Sequence, residues 1–265
     1  MTNPENELNR FRLDERVAIV TGGYGGIGTR LCEAFAAVGA RVVVVGREGD
    51  RAEAVAEELR SNGHDARAVP ADVTRAGDAD RSVDAAIGAF GRVDVLVNTV
   101  GGGAGSALYP AESYPEEEWD RIMDLNLRSV LLPTQAAARA MIAGGRGGRI
   151  LHLSSVRARL GIDNGFSAYV TAKGALEALT RQQATEWAKH AITVNALSPT
   201  FVRTAQAASL LVDEEFRRGL ERRIPLGRIA ETDDVVGPAL LLCTDASGFI
   251  TGQTIMLDGG LTACQ

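Results

Sequence analysis

Short apolar runs alternate along the chain with longer stretches in which apolar residues recur three and four positions apart. A short continuous apolar run is typical of a strand buried on both faces of a parallel sheet, and the second pattern is typical of a helix. We therefore predict seven strands, at Val17–Val20, Arg41–Val45, Ala66–Val69, Val93–Val97, Arg149–Leu153, Ile192–Leu197 and Thr254–Leu257.

Helical periodicity fills most of the intervals between these strands. The predicted helices are Thr29–Val38, Glu48–Ser61, Arg75–Phe90, Pro115–Ala143, Phe166–Lys189, two short helices within 205–223, and Thr232–Cys243. Pro133 lies inside the longest of them and is expected to kink it, because proline removes one hydrogen-bond donor from a helix.

This alternation of strands and helices predicts an α/β fold with a doubly wound, seven-stranded parallel sheet and helices on both faces. Residues 13–265 show no linker and are predicted to form a single domain. Residues 1–12 are polar and are predicted to be a flexible N-terminus.

Composition narrows the function classes. The formal net charge of −6 argues against a nucleic-acid partner, because phosphate binding needs clustered lysine and arginine. The N-terminus lacks the apolar region of a signal peptide, and no apolar run is long enough to cross a membrane. We therefore expect a soluble cytoplasmic protein with no nucleic-acid or membrane partner.

The cysteines and histidines show no metal-ligand spacing, so no metal site is predicted. The cysteines are odd in number and widely spaced, which fits a reducing compartment, and the histidines are interpreted as structural. These residues are Cys32, Cys243, Cys264, His64, His152 and His190.

A glycine-rich segment, residues 21–28, separates the first strand from the helix that follows it. This strand, glycine loop, helix and second strand are the context that a dinucleotide-binding fingerprint requires. Glycines allow the backbone to approach a pyrophosphate, whose charge is favourable at a helix N-terminus. In doubly wound sheets, ligands bind beyond the carboxyl ends of the strands.

Tyr169 and Lys173 lie four residues apart in a predicted helix, a spacing that brings two side chains onto one face. A neighbouring ammonium favours the phenolate and lowers the pKa of a tyrosine, which can then exchange a proton with a substrate oxygen. Ser155, just after the fifth strand, could hold that oxygen. The alternative is an ordinary surface pair on an amphipathic helix.

The ordered motifs resemble those of the short-chain dehydrogenase/reductase family over nearly the whole chain. The matching segments are Thr21–Gly28, Asp72, Asn98–Gly101, Asn126, Ser155, Tyr169 with Lys173, Pro199–Thr204, Thr251–Gln253 and Leu257–Gly260. The resemblance implies a Rossmann-like fold and an NAD(P)(H)-dependent oxidoreductase that interconverts a ketone and a secondary alcohol.

The resemblance also implies four catalytic roles. Tyr169 would be the acid/base on the substrate oxygen, and Lys173 would lower its pKa and bind the nicotinamide ribose. Ser155 would orient the carbonyl or alcohol. Asn126 would hold a water in a proton relay with Lys173.

The cofactor is expected to contact residues at several strand ends. They are Gly22, Tyr24, Gly26, Ile27, Gly28, Arg47, Asp72, Val73, Asn98, Gly101, Tyr169, Lys173, Pro199, Thr200, Val202 and Thr204. The chain departs from the family pattern at Thr99, Val100 and Thr200. The first two substitutions are interpreted as tolerated, whereas Thr200 replaces a glycine whose backbone angles a β-branched residue resists.

Arg47 favours NADP(H) over NAD(H). It follows the second strand, where no carboxylate occupies the strand end to bind the ribose hydroxyls, and a guanidinium pairs well with a 2′-phosphate. NAD(H) stays open, because Gly25 stands where many NADP-dependent relatives have a second basic residue and because Arg47 could instead stack on adenine or face water.

The substrate is expected to be a small carbonyl compound or alcohol. Arg157 and Arg159 follow Ser155 and could meet an acidic substrate or be solvated loop charges. The alternatives are an NADH-dependent dehydrogenase for a sugar, polyol or 3-oxoacyl substrate, and a non-catalytic dinucleotide-binding regulator. Apolar and small residues on the two long helices, together with the family resemblance, lead us to expect a homotetramer.

Overall fold

Seven strands form one sheet in the computed structural model, which describes residues 4–163 and 165–263. Each predicted strand is present, with ends that differ by at most two residues. The strands are β1 Val17–Thr21, β2 Arg41–Gly46, β3 Ala66–Pro70, β4 Val95–Asn98, β5 Gly148–Leu153, β6 Ile192–Pro199 and β7 Thr254–Leu257.

Helices connect these strands. They are α1 Pro4–Asn9, α2 Gly26–Ala37, α3 Gly49–Ser61, α4 Ala76–Phe90, α5 Glu116–Met123, α6 Ser129–Gly144, α7 Ser167–Trp187, α8 Ala205–Leu211, α9 Glu214–Arg223 and α10 Thr232–Cys243. Within 4–163 and 165–263, none of the helices combines the length and the apolar character needed to cross a membrane.

The strand order is β3-β2-β1-β4-β5-β6-β7, and every neighbouring pair is parallel. The predicted doubly wound parallel sheet is therefore confirmed. The order reverses direction between β1 and β4, and the carboxyl ends of both strands reach the same edge, where Thr21 pairs with Val45 and Asn98. A ligand site is expected at this switch point.

Two apolar cores lie on opposite faces of the sheet, because alternate residues of a strand point to opposite sides. In β1, Ala18 and Val20 pack in the core that includes residues of α2, α3 and α10. Val17 and Ile19 pack in the other core, with residues of α4, α6 and α7. A strand covered on both faces must be apolar throughout, which is the pattern that the sequence shows.

The longest predicted helix contains a break in geometry that periodicity did not predict. A π-helical turn at Asp124–Arg128 separates α5 from α6, and the helix then continues through Pro133. The change of geometry therefore lies upstream of the proline to which a kink was assigned. Helix α7 ends at Trp187 and a 3₁₀ turn, Ala188–His190, follows it.

Within the polar N-terminus, Pro4–Asn9 form the short helix α1. The chain after it is tied to the turn following α10, since Ala246 N–H donates to the Arg10 carbonyl at 3.1 Å and Arg16 pairs with Asp245. Residues 1–3 of the predicted flexible segment lie outside the described residues, and its mobility stays a prediction.

Candidate active site

A buried hydrogen-bond network joins the strands at the switch point. Asn98, at the end of β4, donates from Nδ2 to the Thr134 hydroxyl of α6 at 2.9 Å and lies 3.2 Å from His152 Nδ1 of β5. Its side chain is fully buried. Asn98 was predicted to contact the cofactor, but its side chain is committed to this network, which leaves only its backbone atoms for such a contact.

His152 completes the network between β5 and α7. Its Nε2 lies 3.2 Å from Gln183 Oε1, so both ring nitrogens have polar partners inside the protein. Burial lowers the pKa of His152 to about 4, and the imidazole is therefore neutral at physiological pH. The structure agrees with the interpretation of this histidine as structural.

The glycine loop is a tight turn that leads directly into α2. Gly25 N–H donates to the Gly22 carbonyl at 2.9 Å, and a side-chain carbon on Gly28 would overlap that same carbonyl. No side chain caps the start of α2, and its first turn has no acidic residue. Free N–H groups at a helix N-terminus fit the pyrophosphate of a dinucleotide.

Three further predicted cofactor residues lie in this loop or against it. Thr204 is in contact distance of Gly26, where a side-chain carbon would lie 3.0 Å from Thr204 Cβ. Tyr24 and Ile27 pack against the edge of one apolar core. The segment after β6 thus meets the loop after β1, as the sequence predicted from two distant motifs.

Asp72 and Val73 follow β3 at the same edge. The Asp72 carboxylate accepts hydrogen bonds from the Thr74 N–H at 3.1 Å and the Thr74 hydroxyl at 2.7 Å, which fixes the turn into α4. Val73 is buried, and Asp72 is partly exposed.

Lys173 lies at the centre of the four predicted catalytic residues, Asn126, Ser155, Tyr169 and Lys173, which we call the catalytic cluster. It is almost fully buried on α7, and its Nζ donates to the Leu153 carbonyl at 2.8 Å, two residues before Ser155. Burial lowers the pKa of Lys173 to about 8. Its Nζ also lies 5.7 Å from the centroid of the Tyr169 ring, so the predicted pair shares one helix face.

The electrostatics of Tyr169 correct one expectation. We predicted that Lys173 lowers its pKa, but the pKa of Tyr169 is raised above its ordinary value, chiefly by burial. Hydrogen bonding with the Ser155 hydroxyl and the charge of Arg157 oppose the rise without cancelling it. Lys173 faces the ring, and Tyr169 is a protonated phenol at neutral pH.

Asn126 lies in the π turn and faces the same cluster. Its Oδ1 accepts from Gly102 N–H at 2.8 Å, and its Nδ2 donates to the Gly102 and Ile122 carbonyls, each at 3.0 Å. A side-chain carbon on Gly101 would lie 3.0 Å from Asn126 Oδ1 and 3.2 Å from Lys173 Nζ. The glycine therefore keeps open the space between these two groups. The predicted relay water stays a prediction.

The departures from the family pattern are accommodated. The Thr99 hydroxyl donates to the Thr21 carbonyl at 2.6 Å and so ties the β4 loop to β1. Among the described residues, only Glu15 and Ala191 are non-glycine residues with positive φ, so Thr200 does not adopt the strained backbone that we expected. Pro199 ends β6, and Val202 is buried in a bridge to Ala230.

The end of β2 presents an exposed polar group. Within the described chain, the side chain of Arg47 has neither an ion pair nor a hydrogen-bond partner. Beside it, the Tyr24 ring packs on Gly46, the Tyr24 hydroxyl donates to Glu48 at 3.3 Å, and Arg51 lies 4.5 Å over the ring. We missed Glu48 and Arg51 as site residues; their position at the start of α3 was the available signal.

The sequence also missed two residues that frame the site. Gln206 of α8 lies against Gly102, so this helix covers the cluster around Asn126. Glu177, one turn after Lys173 on α7, is a buried carboxylate that accepts from the Ser198 hydroxyl at 2.9 Å. Its spacing from Lys173 was the signal. In the described part of the chain, no group of acidic, histidine or cysteine side chains is arranged to hold a metal.

Comparison with known proteins agrees with this geometry. A family model described as enoyl-(acyl carrier protein) reductase matches residues 22–262. The gluconate 5-dehydrogenase of Gluconobacter oxydans is 36% identical over 255 residues, which cover 95% of this chain and 96% of that protein. The chain belongs to the short-chain dehydrogenase/reductase family. It is accordingly an oxidoreductase that acts on CH–OH groups with a nicotinamide dinucleotide, rather than a non-catalytic regulator.

Two further relatives widen the comparison within this family. The D-threitol dehydrogenase of Mycolicibacterium smegmatis is 34% identical, with 95% of each chain covered. The crystal structure of a gluconate 5-dehydrogenase from Burkholderia cenocepacia, in complex with NADP and tartrate, superposes with a TM-score of 0.91 at 34% identity. That comparison covers 97% of this chain and 99% of the other.

Proposed function

We propose that the protein is an NADPH-preferring oxidoreductase that interconverts a ketone and a secondary alcohol on a small polar substrate. A bound nicotinamide supplies or accepts the hydride. Ser155 and Tyr169 hold the substrate oxygen, and Tyr169 exchanges a proton with it. The raised pKa of Tyr169 keeps its hydroxyl protonated, which is the form that donates to a ketone oxygen.

Lys173 and Asn126 support this chemistry. Lys173, held by the Leu153 carbonyl, is in position to bind the nicotinamide ribose. Asn126 and Lys173 flank the open space at Gly101, which suits a water that carries protons from the buried site. The uncapped start of α2 would hold the pyrophosphate.

The preference for NADP(H) rests on one observation, the unpaired guanidinium of Arg47 at the end of β2. A charge-assisted hydrogen bond to a 2′-phosphate contributes about 1.5–3 kcal/mol. This corresponds to a roughly tenfold to hundredfold preference over NADH.

Arg47→Asp should reverse this preference, because it removes the cation, adds repulsion against the phosphate and offers an acceptor to the ribose hydroxyls. The measurement is kcat/KM for NADPH and NADH with a ketone panel. Arg146→Asp is the control, since Arg146 is exposed on the loop before β5 and therefore lies away from the carboxyl ends of the strands. A wild type that prefers NADH, or an unchanged ratio in Arg47→Asp, would refute the cofactor preference.

NADH use is the second candidate, and Glu48 favours it. This carboxylate follows Arg47 directly, is more than half exposed and lies beside Tyr24. A carboxylate near the end of the second strand can accept hydrogen bonds from the ribose hydroxyls of NAD(H). The same kinetic comparison separates the two candidates.

The names of the relatives leave the charge of the substrate open. Gluconate is an anion, whereas D-threitol is a neutral polyol. Both are small polyhydroxylated compounds with secondary alcohols, and this class supports our proposal that the substrate is small and polar.

We further propose a cytoplasmic homotetramer. Ala136 and Leu176, two residues of the predicted interface helices, are buried in the monomer core and cannot meet a partner. The proposal therefore rests on the partly exposed Leu131, Ala140 and Leu179. Light scattering at micromolar concentration tests the assembly, and a monomer would refute it. Cell fractionation tests the location.

A further inference from the structure

Two arginines follow Ser155, and the structure gives them different surroundings. Arg159 Nε donates to Glu177 Oε2 at 3.1 Å, and Glu177 is buried. Leaving a buried carboxylate without its cation is costly. Arg159 is therefore committed to Glu177 and is not available to a ligand.

Arg157 has no carboxylate partner among residues 4–163 and 165–263. Its guanidinium donates from Nη1 to the Gly161 carbonyl at 3.2 Å, and the side chain is half-buried. Its backbone N–H donates to Ser155 Oγ at 3.2 Å, so the 3₁₀ turn Val156–Ala158 begins at the catalytic hydroxyl. The turn packs against α7, which bears Tyr169.

The charge of a second arginine, Arg223, acts on Arg157. Arg223 is the last residue of α9 and is exposed, and within the described chain it has no ion pair, whereas Arg217 and Arg218 on the same helix pair with glutamates. Burial and the charge of Arg223 both lower the pKa of Arg157, and the charge of Arg157 opposes the rise in the pKa of Tyr169. The three side chains therefore interact electrostatically.

A half-buried guanidinium is repelled by a second positive charge in its vicinity, and a bound anion converts this repulsion into attraction. A guanidinium fits a carboxylate with two parallel hydrogen bonds. The arrangement thus favours an anionic group a short distance from the carbon whose oxygen Ser155 and Tyr169 hold.

We propose that Arg157 forms an anion subsite that binds the carboxylate of the substrate, and that the charge of Arg223 strengthens it. The substrate is then a keto acid in the direction of reduction and a hydroxy acid in the direction of oxidation. This inference rests on the proposed function, because it places the anion next to the reacting carbonyl.

Matched substrates test the subsite. Each pair has the same ketone, with a carboxylate in one member and a hydroxymethyl group in the other: 5-keto-D-gluconate with L-sorbose, levulinate with 5-hydroxy-2-pentanone, and acetoacetate with 4-hydroxy-2-butanone. For at least one pair, wild type should favour the acid in kcat/KM by about tenfold to hundredfold. Arg157→Gln should remove most of this preference through KM, and Arg223→Gln a smaller part.

Arg222→Gln is the matched control, since Arg222 is the exposed neighbour of Arg223 and also has no ion pair in the described chain. Thermal melts check that each variant is folded. No acid preference in any of the three pairs would overturn the subsite. An equal loss on both members in Arg157→Gln would also overturn it, because Arg157 would then act only through Tyr169.

The same experiment separates this inference from the proposed function. If neutral ketones are reduced with NADPH and acids are not preferred, only the subsite fails. If no ketone is reduced, the proposed function fails, and calorimetric binding of the three acids in the presence of NADP⁺ decides the subsite. If the acids do not bind, or if Arg157→Gln leaves their binding unchanged, the anion subsite is overturned. If that substitution weakens their binding, the subsite is supported.

Discussion

The catalytic cluster and the end of β2 differ in how their side chains are held. Lys173 and Asn126 are buried, and each has polar partners within the protein. At the end of β2, Arg47 is exposed and unpaired within the described chain, and the ion pair of Glu48 with Arg51 is more than half exposed. The first region is fixed before any ligand binds, and the second consists of side chains that can rearrange.

This difference has an energetic basis. Loss of one partner of a buried polar pair leaves the other unsatisfied and costs about 1–3 kcal/mol. An exposed ion pair contributes about 0–1 kcal/mol. Substitutions in the catalytic cluster should therefore change turnover or stability strongly, and substitutions at the end of β2 should change cofactor preference with little effect on stability.

The largest effect is expected from Tyr169→Phe. The variant lacks only the hydroxyl that exchanges the proton, so kcat should fall by about a hundredfold to ten-thousandfold. The binding of NADPH, followed by fluorescence titration, should change little, because the ring and its packing are kept.

Tyr109→Phe is the control for this substitution, since Tyr109 packs in the same small aromatic cluster but outside the four catalytic residues. Turnover close to that of wild type in Tyr169→Phe would remove Tyr169 from the acid/base role. It would also mean that the catalytic cluster does not govern turnover more strongly than the end of β2 does.

The buried network at the switch point should make stability dependent on pH. The pKa of His152 is about 4 in the folded protein against 6.5 in the unfolded chain, so the unfolded state binds more protons between these values. Stability from this group is fully present above pH 6.5 and is lost as the pH falls towards 4, by about 3 kcal/mol in total.

Urea denaturation of wild type and His152→Gln between pH 7.5 and 4.5 measures this loss, and the variant should have the flatter dependence. His152→Asn is a second variant in case the first does not fold, and His64→Gln is the control, because His64 lies outside the network. If the free energy of unfolding depends on pH in the same way for wild type and both variants, the pKa of His152 does not differ between the folded and unfolded states as described.

The smallest effect is expected from Glu48→Gln. Removal of the charge lessens repulsion of a 2′-phosphate and releases Arg51, so the NADPH to NADH ratio of kcat/KM should rise by up to about fivefold. Glu53→Gln is the control, as Glu53 lies on the same helix and pairs with Arg60. A fall in the NADPH to NADH ratio would mean that Glu48 instead supports NADPH binding by holding Arg51 and Tyr24 in place.

The fold was largely predictable from the sequence, because a strand covered on both faces must be apolar at every position. The inner strands β1 and β2 follow from this rule, whereas the edge strand β3 contains the exposed Arg67 and follows from its place between two predicted helices. That the proposed catalytic residues lie together was predictable for another reason. The spacing of Tyr169 and Lys173 on one helix and the position of Ser155 at a strand end define their contacts.

Other features depend on contacts that spacing does not encode. The sequence treats Arg157 and Arg159 alike, and only the fold shows that Glu177 binds one of them. Burial raises the pKa of Tyr169, and the spacing of the motif does not encode that burial. The pairing of Glu48 with Arg51 and Tyr24 requires the side-chain geometry at the end of β2.

The π turn at Asp124–Arg128 has a consequence for insertions and deletions. Each residue of an α-helix advances its direction by about 100°. A π turn accommodates one residue more than an α-helical turn, so deletion of one residue within it would restore regular bonding and leave the faces of α5 and α6 nearly in place. The residues inside the turn would change direction, among them Asn126, which flanks the open space at Gly101 together with Lys173. The turn therefore sets the direction of Asn126 independently of the packing of the helices on either side.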